Sequence, residues 1–387
     1  MDRIKFLIVP DSFKNCISSE EVSVNILKGI KVVFPDAITD NVFMADGGEG
    51  TIDSISQYVD GEKVYVKVRN PLNVTINSFF YVVNRDTAIV EMALASGVEL
   101  LKEKERNALI TSSYGTGELI MAALDYGCKK IIVGLGGSAT NDAGVGMAKA
   151  LGVKFLDKNG EEIGDGGGCL NRLHFIDDSN IDKRLFKTNI IAATDVTSIL
   201  IGKNGASLMF GKQKGVDSNG VKLLEVNLNY FANKIKSHYK IDATKIIGGG
   251  AAGGLGVGLK VFCNATIESG FKIISELIKL EEKIKCSDII ITAEGKIDRQ
   301  TNMGKTPIGV GKLSKKYNKP VFVFTGDAID DTEYLHKNGV TGVIPITRSP
   351  IQLDKAIKKA PIWLQKSAEE FCRIIKMTIN LVEKESL

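Results

Sequence analysis

The chain has 387 residues, of which 44% are hydrophobic and 25% are charged, and its formal net charge is +4. The length favours two domains, the composition is that of a globular protein, and the lack of a basic block argues against a nucleic-acid partner. No apolar run reaches the roughly 18 residues that a membrane span needs, and the chain begins with a predicted strand rather than a signal peptide. Six dispersed cysteines without a Cys-x-x-Cys pair favour reduced thiols, and therefore a cytoplasmic protein.

The first third of the chain alternates predicted strands with predicted helices. An apolar strand is expected at residues 4–10, and Ser18 with Glu21 predicts a capping box for a helix that continues to about Val33. Further strands are expected at residues 41–44, 64–68, 79–83 and 88–92, with helices through Tyr58 and up to Gly127. This alternation is typical of an α/β protein with a parallel sheet.

Residues 131–152, IIVGLGGSATNDAGVGMAKALG, contain the central motif. An apolar strand at 131–133 runs into Gly134, Gly136 and Gly137, and a helix is expected to follow. Between the glycines and the helix lie residues that favour helix N-caps, namely Ser138, Thr140, Asn141 and Asp142. A strand, a glycine turn and a helix start together direct free backbone N–H groups at one point, so the motif predicts an anion or phosphate site.

The same motif has two other interpretations. The spacing Gly134-x-Gly136-x-x-Ala139 fits the looser dinucleotide fingerprint, with Asp157 in the place of the acid that binds a ribose. Alternatively, the glycines serve only the close packing of a strand-to-helix turn. A Walker loop is excluded, because no Gly-Lys-Ser/Thr sequence follows.

The remainder of the chain continues the alternating pattern. A strand at residues 189–193 ends at Thr194 and Asp195, residues 205–215 are predicted to be rich in loops, and residues 246–258 contain seven glycines in 13 positions. Strands are expected at 288–292, 321–325 and 342–346, and helices after residues 304–307 and at 361–382. The last helix is expected to bury Trp363, Leu364, Phe371 and Ile374.

Acidic residues follow several of the predicted strands. Because parallel strands bind ligands at their carboxyl ends, these acids are expected near a shared site. Several carboxylates, a few lysines and glycine-rich loops, with only three histidines in the chain, fit Mg²⁺–nucleotide phosphoryl transfer. A nicotinamide-dependent oxidoreductase and a non-catalytic anion-binding protein are the alternatives. The acidic residues at or just after strand ends are Asp11, Asp46, Glu49, Asp195, Glu294, Asp298 and Asp327.

Eight segments of the chain, in this order, form a recognisable set: VPDSFKNCISSEEV, MADGGEGT, residues 106–117, GLGGSATNDAGVGMAKALG, ATDVTS, GASLMFGKQKG, GGGAAGGLG and TAEGKIDRQTNMGKTPIGV. Together they resemble the bacterial glycerate kinase family. The resemblance covers about residues 4–346. It implies ATP-dependent phosphorylation of D-glycerate with Mg²⁺, and it favours 2-phosphoglycerate as the product.

The resemblance also implies the domain organisation. A discontinuous Rossmann-like domain with a parallel sheet would comprise residues 1–78 and 283–387, and residues 79–282 would form a second, inserted α/β domain. The active site would lie in the cleft between the two. The partners would be glycerate and ATP, and the oligomeric state stays open.

The chain departs from the family pattern at three places. Residues 198–200 are Ser-Ile-Leu where the family usually has Asn-Pro-Leu, Lys212 replaces a proline in the Gly-Pro-Gln-Lys-Gly motif, and Asn15 replaces a glycine. None of these changes removes a charged group. The loop after Asp195 is expected to differ in shape, so another hydroxy acid or a sugar acid is the alternative acceptor.

Candidate roles are assigned to the residues of these motifs. The catalytic candidates are Lys14, Asp195 and Asp46, where either aspartate would be the base or a metal ligand. The metal candidates are Glu294 and Asp298, which, four positions apart, would share a helical face or a loop. The candidates for substrate or phosphate binding are Ser12, Gly47, Gly48, Glu49, Gly136, Gly137, Ser138, Asn141, Asp142, Gly253, Gly254, Lys296 and Lys305.

Overall fold

The computed structural model describes residues 3–13, 16–44, 50–297, 306–328 and 331–385. In chain order, the strands are β1 Lys5–Pro10, β2 Ile38–Asn41, β3 Gly61–Arg69, β4 Thr75–Val83, β5 Thr87–Glu91, β6 Lys130–Gly134, β7 Lys154–Leu156, β8 Phe175–Asp177, β9 Asn189–Ala193, β10 Thr266–Glu268, β11 Ile289–Ile297, β12 Val321–Ala328 and β13 Gly342–Pro345.

The helices, in the same order, are α1 Ser19–Val33, α2 Thr51–Ser56, α3 Ala93–Ser96, α4 Tyr114–Tyr126, α5 Val145–Ala150, α6 Ala206–Phe210, α7 Ser218–Tyr239, α8 Ala251–Phe262, α9 Gly270–Leu277, α10 Leu280–Lys285, α11 Thr306–Lys315, α12 Glu333–Lys337 and α13 Leu353–Glu385.

The chain divides into two compact units. The first unit comprises Met1–Ala45 and Ile274–Leu387, and the second comprises Asp46–Ile273. These limits differ from the expected boundaries at 78/79 and 282/283. Residue 78 lies inside β4, which pairs along its length with β3, so both strands belong to the second unit.

The first unit contains a five-stranded sheet in the order β13-β12-β11-β1-β2, and every neighbouring pair is parallel. The central strands are apolar runs that are buried on both faces, as parallel strands usually are. Helix α1 begins with the predicted capping box, in which Ser18 and Glu21 satisfy each other's backbone N–H groups. Helices α1 and α13 pack on the sheet and bury Ile26, Trp363 and Leu364.

The second unit contains a six-stranded sheet in the order β10-β9-β6-β5-β4-β3. Strands β5, β6, β9 and β10 are parallel, whereas β3 and β4 form an antiparallel hairpin at one edge. A separate antiparallel pair, β7 and β8, lies outside this sheet. The predicted α/β class is confirmed, and the second sheet is mixed rather than wholly parallel.

Several local expectations differ from the structure. Strand β2 is Ile38–Asn41 rather than 41–44, because its parallel register with β1 starts at the Lys5–Ile38 pair. No element was expected at α7, although Leu224, Leu228 and Phe231 give it a buried face at helical spacing. Ile374 of α13 is 66% exposed rather than buried. No helix within the described ranges is both long and apolar enough to cross a membrane.

Candidate active site

The carboxyl ends of three parallel strands coincide in the second unit. The last residues of β5, β6 and β9 are in register, as Glu91 pairs with Gly134 and Gly134 pairs with Ala193. The segments that follow these strands therefore leave the sheet at one edge, which is where ligands bind in parallel α/β sheets. The segment after β6, residues 135–144, is called the glycine loop below.

The glycine loop is held by backbone hydrogen bonds on two sides. The Val98 N–H donates to the Gly137 carbonyl at 2.8 Å, and the Ala139 N–H donates to the Ser96 carbonyl at 2.9 Å. Further along the loop, the Ala143 N–H donates to the Gly253 carbonyl at 3.0 Å. The loop therefore has a fixed backbone conformation before any ligand is present.

Asp142 occupies the position at which the sequence predicts an anion. Its carboxylate is 1% exposed and accepts hydrogen bonds from the N–H and the hydroxyl of Ser113, at 2.9 and 2.8 Å. It also accepts from the N–H groups of Gly144 and Gly146, both at 3.1 Å. The Met147 N–H donates to the Ser113 hydroxyl at 3.0 Å. The start of α5 is thus capped by the chain itself, and the buried side chain of Asp142 orders the loop.

In the turn before Asp142, by contrast, consecutive backbone N–H groups have no acceptor within the described chain. The backbone N–H groups of Gly136, Gly137 and Ser138 donate no hydrogen bond within the described part of the chain. Gly137 is exposed with a φ of +73°, and its two neighbours are half-buried. Consecutive free N–H groups around a left-handed glycine form a concave site for an anion. The N–H groups of residues 136–138 are therefore unused within the described chain, and their predicted contact with an anion stays a prediction.

Thr140 and Asn141, which follow this turn in sequence, are fully buried. The Asn141 amide donates to the Ser207 hydroxyl at 3.0 Å, and the Thr140 carbonyl accepts from the Lys214 ammonium at 2.7 Å. Lys214 is only 2% exposed, and this burial lowers the pKa of its ammonium to about 7, although the charge of Asp142 acts in the opposite direction. Lys214 is absent from the predicted site residues, although it belongs to the GKQKG segment that resembles the family.

Gly253 and Gly254 pack on the glycine loop by backbone. Their φ values are +67° and +91°, and a Cβ on Gly253 would lie 2.0 Å from the Thr140 carbonyl oxygen. A Cβ on Gly254 would lie 2.8 Å from the Cα of Ala143. Both glycines are needed for this close approach, which places them against the loop. Their predicted backbone contact with a ligand stays a prediction.

Asp195 follows β9 and is half-buried. Its carboxylate accepts from the Ser269 hydroxyl at 2.6 Å and from the Phe271 N–H at 3.1 Å, so it caps the start of α9. Among the described acids of this sheet edge it is the most accessible, because Glu91 and Asp142 are buried. This position is compatible with the predicted catalytic role and also supplies a structural one.

Glu91 was missed by the sequence analysis. It ends β5, is 3% exposed, and accepts hydrogen bonds from the N–H groups of Gly50 and Ile52 at the start of α2. The rule that selected the other acids, a carboxylate at the end of an apolar strand, would also have selected Glu91. Its contacts indicate that it positions the segment that follows the MADGGEG motif.

The other candidate residues lie in the first unit or outside the described residues. The Ser12 N–H donates to the Asp11 carboxylate at 2.6 Å, and the Asp11 N–H donates to the Ala293 carbonyl at 2.9 Å. Glu294 lies within β11 and is 6% exposed, so it cannot be the first residue of a shared helical face. Lys296, also on β11, forms an exposed ion pair of 3.5 Å with Asp327. The candidates Lys14, Asp46, Gly47, Gly48, Glu49, Asp298 and Lys305 lie outside the described residues.

Asp157 does not have the position that a dinucleotide fold requires. It follows β7, which belongs to the separate antiparallel pair rather than to the sheet of β6. Its carboxylate accepts from the N–H groups of Asn159 and Glu161 and pairs with Arg172 at 3.1 Å. These contacts lower the pKa of Asp157, the Asn159 N–H having the largest effect. The acid therefore closes a turn, and the ribose-binding interpretation loses its support.

Comparison with known proteins identifies the family of the chain. The family model of the glycerate kinase family matches residues 6–376. Glycerate 2-kinase of Escherichia coli K12 is 44% identical over 358 residues, which cover 92% of this chain and 94% of the relative. Glycerate kinase of Bacillus subtilis 168 is 40% identical over 375 residues, which cover 97% of this chain and 98% of that relative.

A solved structure shows the same likeness. The crystal structure assigned as glycerate kinase 2 from Salmonella typhimurium LT2 has a TM-score of 0.80 and 39% sequence identity, covering 98% of this chain and all of that one (100%). The sequence matches and the structural match each cover more than nine tenths of the chain. On these grounds the chain belongs to the glycerate kinase family.

Proposed function

We propose that this protein transfers the terminal phosphoryl group of ATP to the 2-hydroxyl of D-glycerate, with the assistance of Mg²⁺. Membership of the glycerate kinase family supports the acceptor and the reaction class. The name of the Escherichia coli relative, Glycerate 2-kinase, supports 2-phosphoglycerate as the product. ATP is the phosphoryl donor that a kinase family implies.

The observation that carries phosphoryl transfer is the set of free backbone donors in the glycine loop. The N–H groups of Gly136, Gly137 and Ser138 lie near the carboxyl end of β6 and are not used by the described chain. Phosphoryl transfer requires fixed donors that stabilise the charge on the transferred group and the anionic substrate. The loop is already ordered by Asp142 and by its backbone bonds, so binding an anion there demands little reorganisation.

Asp195 is our candidate for the proton acceptor or a metal ligand in the second unit. Its half-buried carboxylate follows the carboxyl end of β9, where ligands bind in parallel sheets, and is held there by bonds from Ser269 and Phe271. Asp46 is the other candidate for the same role, and Lys14 is proposed to bind the substrate carboxylate or the transferring phosphoryl group. Ser12, residues 47–49, Lys296 and Lys305 stay proposed contacts on the strength of their motifs.

The described residues offer few carboxylate ligands, which fits an Mg²⁺ ion that is bound mainly by the phosphates of a nucleotide. No group of three or more His, Cys, Asp or Glu side chains within the described ranges could hold a metal. Mg²⁺ in kinases usually takes one or two carboxylates and completes its coordination with phosphate oxygens and water. Glu294 and Asp298 stay the proposed ligands on the strength of their motif, and Asp195 is the alternative. The ion would neutralise charge on the phosphates.

The test is a product assay with the purified protein. ADP release is measured with Mg-ATP and D-glycerate, and phosphorus NMR distinguishes a phosphate on the 2-hydroxyl from one on the 3-hydroxyl. We expect a turnover of about 1–100 per second and 2-phosphoglycerate. Loss of turnover in EDTA and its return with excess Mg²⁺ would support the metal. A 3-phosphoglycerate spectrum would refute the assigned hydroxyl, and turnover only with another hydroxy acid or a sugar acid would refute the acceptor.

A further inference from the structure

Lys214 is a buried lysine that the proposed chemistry does not yet use. It ends the short turn Lys212–Lys214 between α6 and α7, and its side chain is 2% exposed, whereas Lys212 on the same turn is exposed. The turn is fixed by its own backbone, since the Lys214 N–H donates to the Gly211 carbonyl at 3.0 Å and its carbonyl accepts from the Ala108 N–H at 3.1 Å. Burying an ammonium group costs free energy unless the group is paired and hydrogen-bonded.

The ammonium of Lys214 contacts one peptide group of the glycine loop. It donates to the Thr140 carbonyl at 2.7 Å, which is the length of a charge-assisted hydrogen bond. The chain has no cis peptide bond in its described part, so the carbonyl of Thr140 and the N–H of Asn141 point in opposite directions across one rigid plane. Holding the carbonyl towards Lys214 therefore directs the Asn141 N–H to the opposite side of the loop.

The neighbouring peptides are fixed by other contacts. The Ala139 carbonyl accepts from the Thr111 hydroxyl at 2.8 Å, and the Asp142 carboxylate is held by Ser113. The Thr140–Asn141 peptide lies between them, and Lys214 is the side chain that donates to its carbonyl. The Asn141 N–H donates no hydrogen bond within the described chain. Lys214 thus helps to hold the buried Thr140–Asn141 peptide, which follows the more accessible 136–138 turn.

The polar cluster around this contact is incompletely satisfied. Within the described structure, the Thr140 hydroxyl and the Asn141 side-chain oxygen are buried without a hydrogen-bond partner. An apolar residue in place of Lys214 would avoid the burial of a charge. Folded proteins rarely retain such a cluster for stability alone, and partly satisfied buried networks are common at functional sites.

We propose that Lys214 is a positioning residue for catalysis, which orients the Thr140–Asn141 peptide so that the free N–H groups of the glycine loop can bind an anionic group of a substrate. This inference rests on the proposed function of that loop. The shared chemistry is an anionic oxygen, which either the ATP phosphates or the glycerate carboxylate could supply. Separate affinities for the two ligands distinguish these sources.

The proton on Lys214 then affects ligand affinity. Since its pKa lies near 7, the ammonium loses its proton within the neutral range and its bond to the carbonyl weakens. The charge that acts on Lys214 is that of Asp142 in the glycine loop; on the segment next to its turn, Arg106 is paired with Glu99 at 3.8 Å. Of these, Asp142 favours the protonated form.

The test compares Lys214→Met, Lys214→Arg and the control Lys212→Met. Lys214→Met keeps the approximate length and removes the charge, Lys214→Arg keeps a permanent charge, and Lys212→Met makes the same change on the exposed lysine of the same turn. Calorimetric Kd values for Mg-ATP and for D-glycerate, with KM and kcat, are measured from pH 6 to 8.5, and circular dichroism confirms folding. Binding is measured without turnover, so failure of the wild type to phosphorylate glycerate would refute the proposed function without deciding this inference.

We expect Lys214→Met to weaken one of the two ligands at least tenfold at pH 6.5, with a larger effect on KM than on kcat. Lys212→Met should stay within twofold of the wild type. The ratio of the wild-type Kd to the Kd of Lys214→Arg should rise with pH. Because the same ligand binds both proteins, this ratio is not affected by the titration of the ligand itself. A folded Lys214→Met with both affinities within twofold of the wild type would overturn the inference. If that variant does not fold, identical pH profiles of the wild type and Lys214→Arg would do so.

Discussion

Replacement of Gly253 by alanine tests how tightly the glycine loop is supported. The φ of Gly253 is +67°, a conformation that costs an L-residue about 1–2 kcal/mol. The added Cβ would also lie 2.0 Å from the Thr140 carbonyl oxygen and 2.5 Å from the Asn141 Cα. Contacts below 3.0 Å are essentially never observed, so the two backbones must separate by about 1 Å. Such overpacking costs about 1–3 kcal/mol more.

Gly127→Ala provides the matched control. Gly127 also has a positive φ, +96°, at the end of α4, but a Cβ there would meet nothing within 4 Å. Its substitution should therefore cost only the backbone term of about 1–2 kcal/mol. The difference between the two variants isolates the clash with the glycine loop, which we expect to be about 1–3 kcal/mol.

The assay must report on the second unit. The single tryptophan, Trp363, lies in the first unit, so urea denaturation should be followed by far-UV circular dichroism rather than by tryptophan fluorescence alone. Hydrogen exchange in peptides spanning residues 139–146 reports the loop directly, and KM values for ATP and D-glycerate report its function. We expect Gly253→Ala to have faster exchange there and higher KM values than Gly127→Ala. Equal stability, exchange and KM in the two variants would refute the close support of the loop by Gly253.

Three further predictions follow from side-chain contacts. Asp142→Asn should lower the free energy of unfolding by about 1–3 kcal/mol, because an amide nitrogen cannot accept from the surrounding donors; an unchanged urea midpoint would contradict this. Burial lowers the pKa of Lys214 to about 7 in the folded protein, so between pH 7 and 10 the unfolded chain keeps the lysine proton and the folded chain loses it. The free energy of unfolding should therefore rise by up to about 1.4 kcal/mol per pH unit in this range through Lys214. Urea midpoints at pH 6.5 and 9 should show a smaller rise in Lys214→Met, and parallel behaviour would count against a buried, titrating lysine. Asp195→Asn should lower kcat more than about 100-fold if its carboxylate takes part in catalysis. Ser269→Ala removes only one capping bond and should lower kcat less than tenfold. Similar losses in both variants would show that Asp195 only caps α9.

The local elements near the candidate site were predictable because their signals are local. The apolar runs of β1, β6, β9 and β11 end in polar or glycine-rich segments, and the Ser18–Glu21 capping box is formed as its spacing indicates. Helix α7 has an equally local signal in its buried apolar face and could have been predicted. The assignment of β3 and β4 to the second unit was not predictable in this way, since it depends on the pairing of β4 with β5, which joins both strands to the sheet of β6.

The sequence motif identified the glycine loop but not the task of each residue within it. Asp142, Gly253 and Gly254 have the residue types of a ligand site, and the structure uses them to hold the loop's own backbone. Only tertiary contacts distinguish the free N–H groups of residues 136–138 from those that Asp142 already occupies. Lys214 is more than 70 residues from Thr140 in sequence, so its contact could not be inferred from spacing.

The parallel pairing of β1 with β11 has a consequence for the order of folding. Phe6 is paired with Ile289, so strand β1 has only β2 as a partner until about 280 further residues have been synthesised and β11 exists. The second unit is one continuous stretch of chain and can complete its own contacts earlier during synthesis. Its folding would also shorten the effective loop that separates β1 from β11 and reduce the entropy cost of closing it. On the ribosome, the unit in the middle of the sequence should therefore fold before the one that contains the amino-terminal strand.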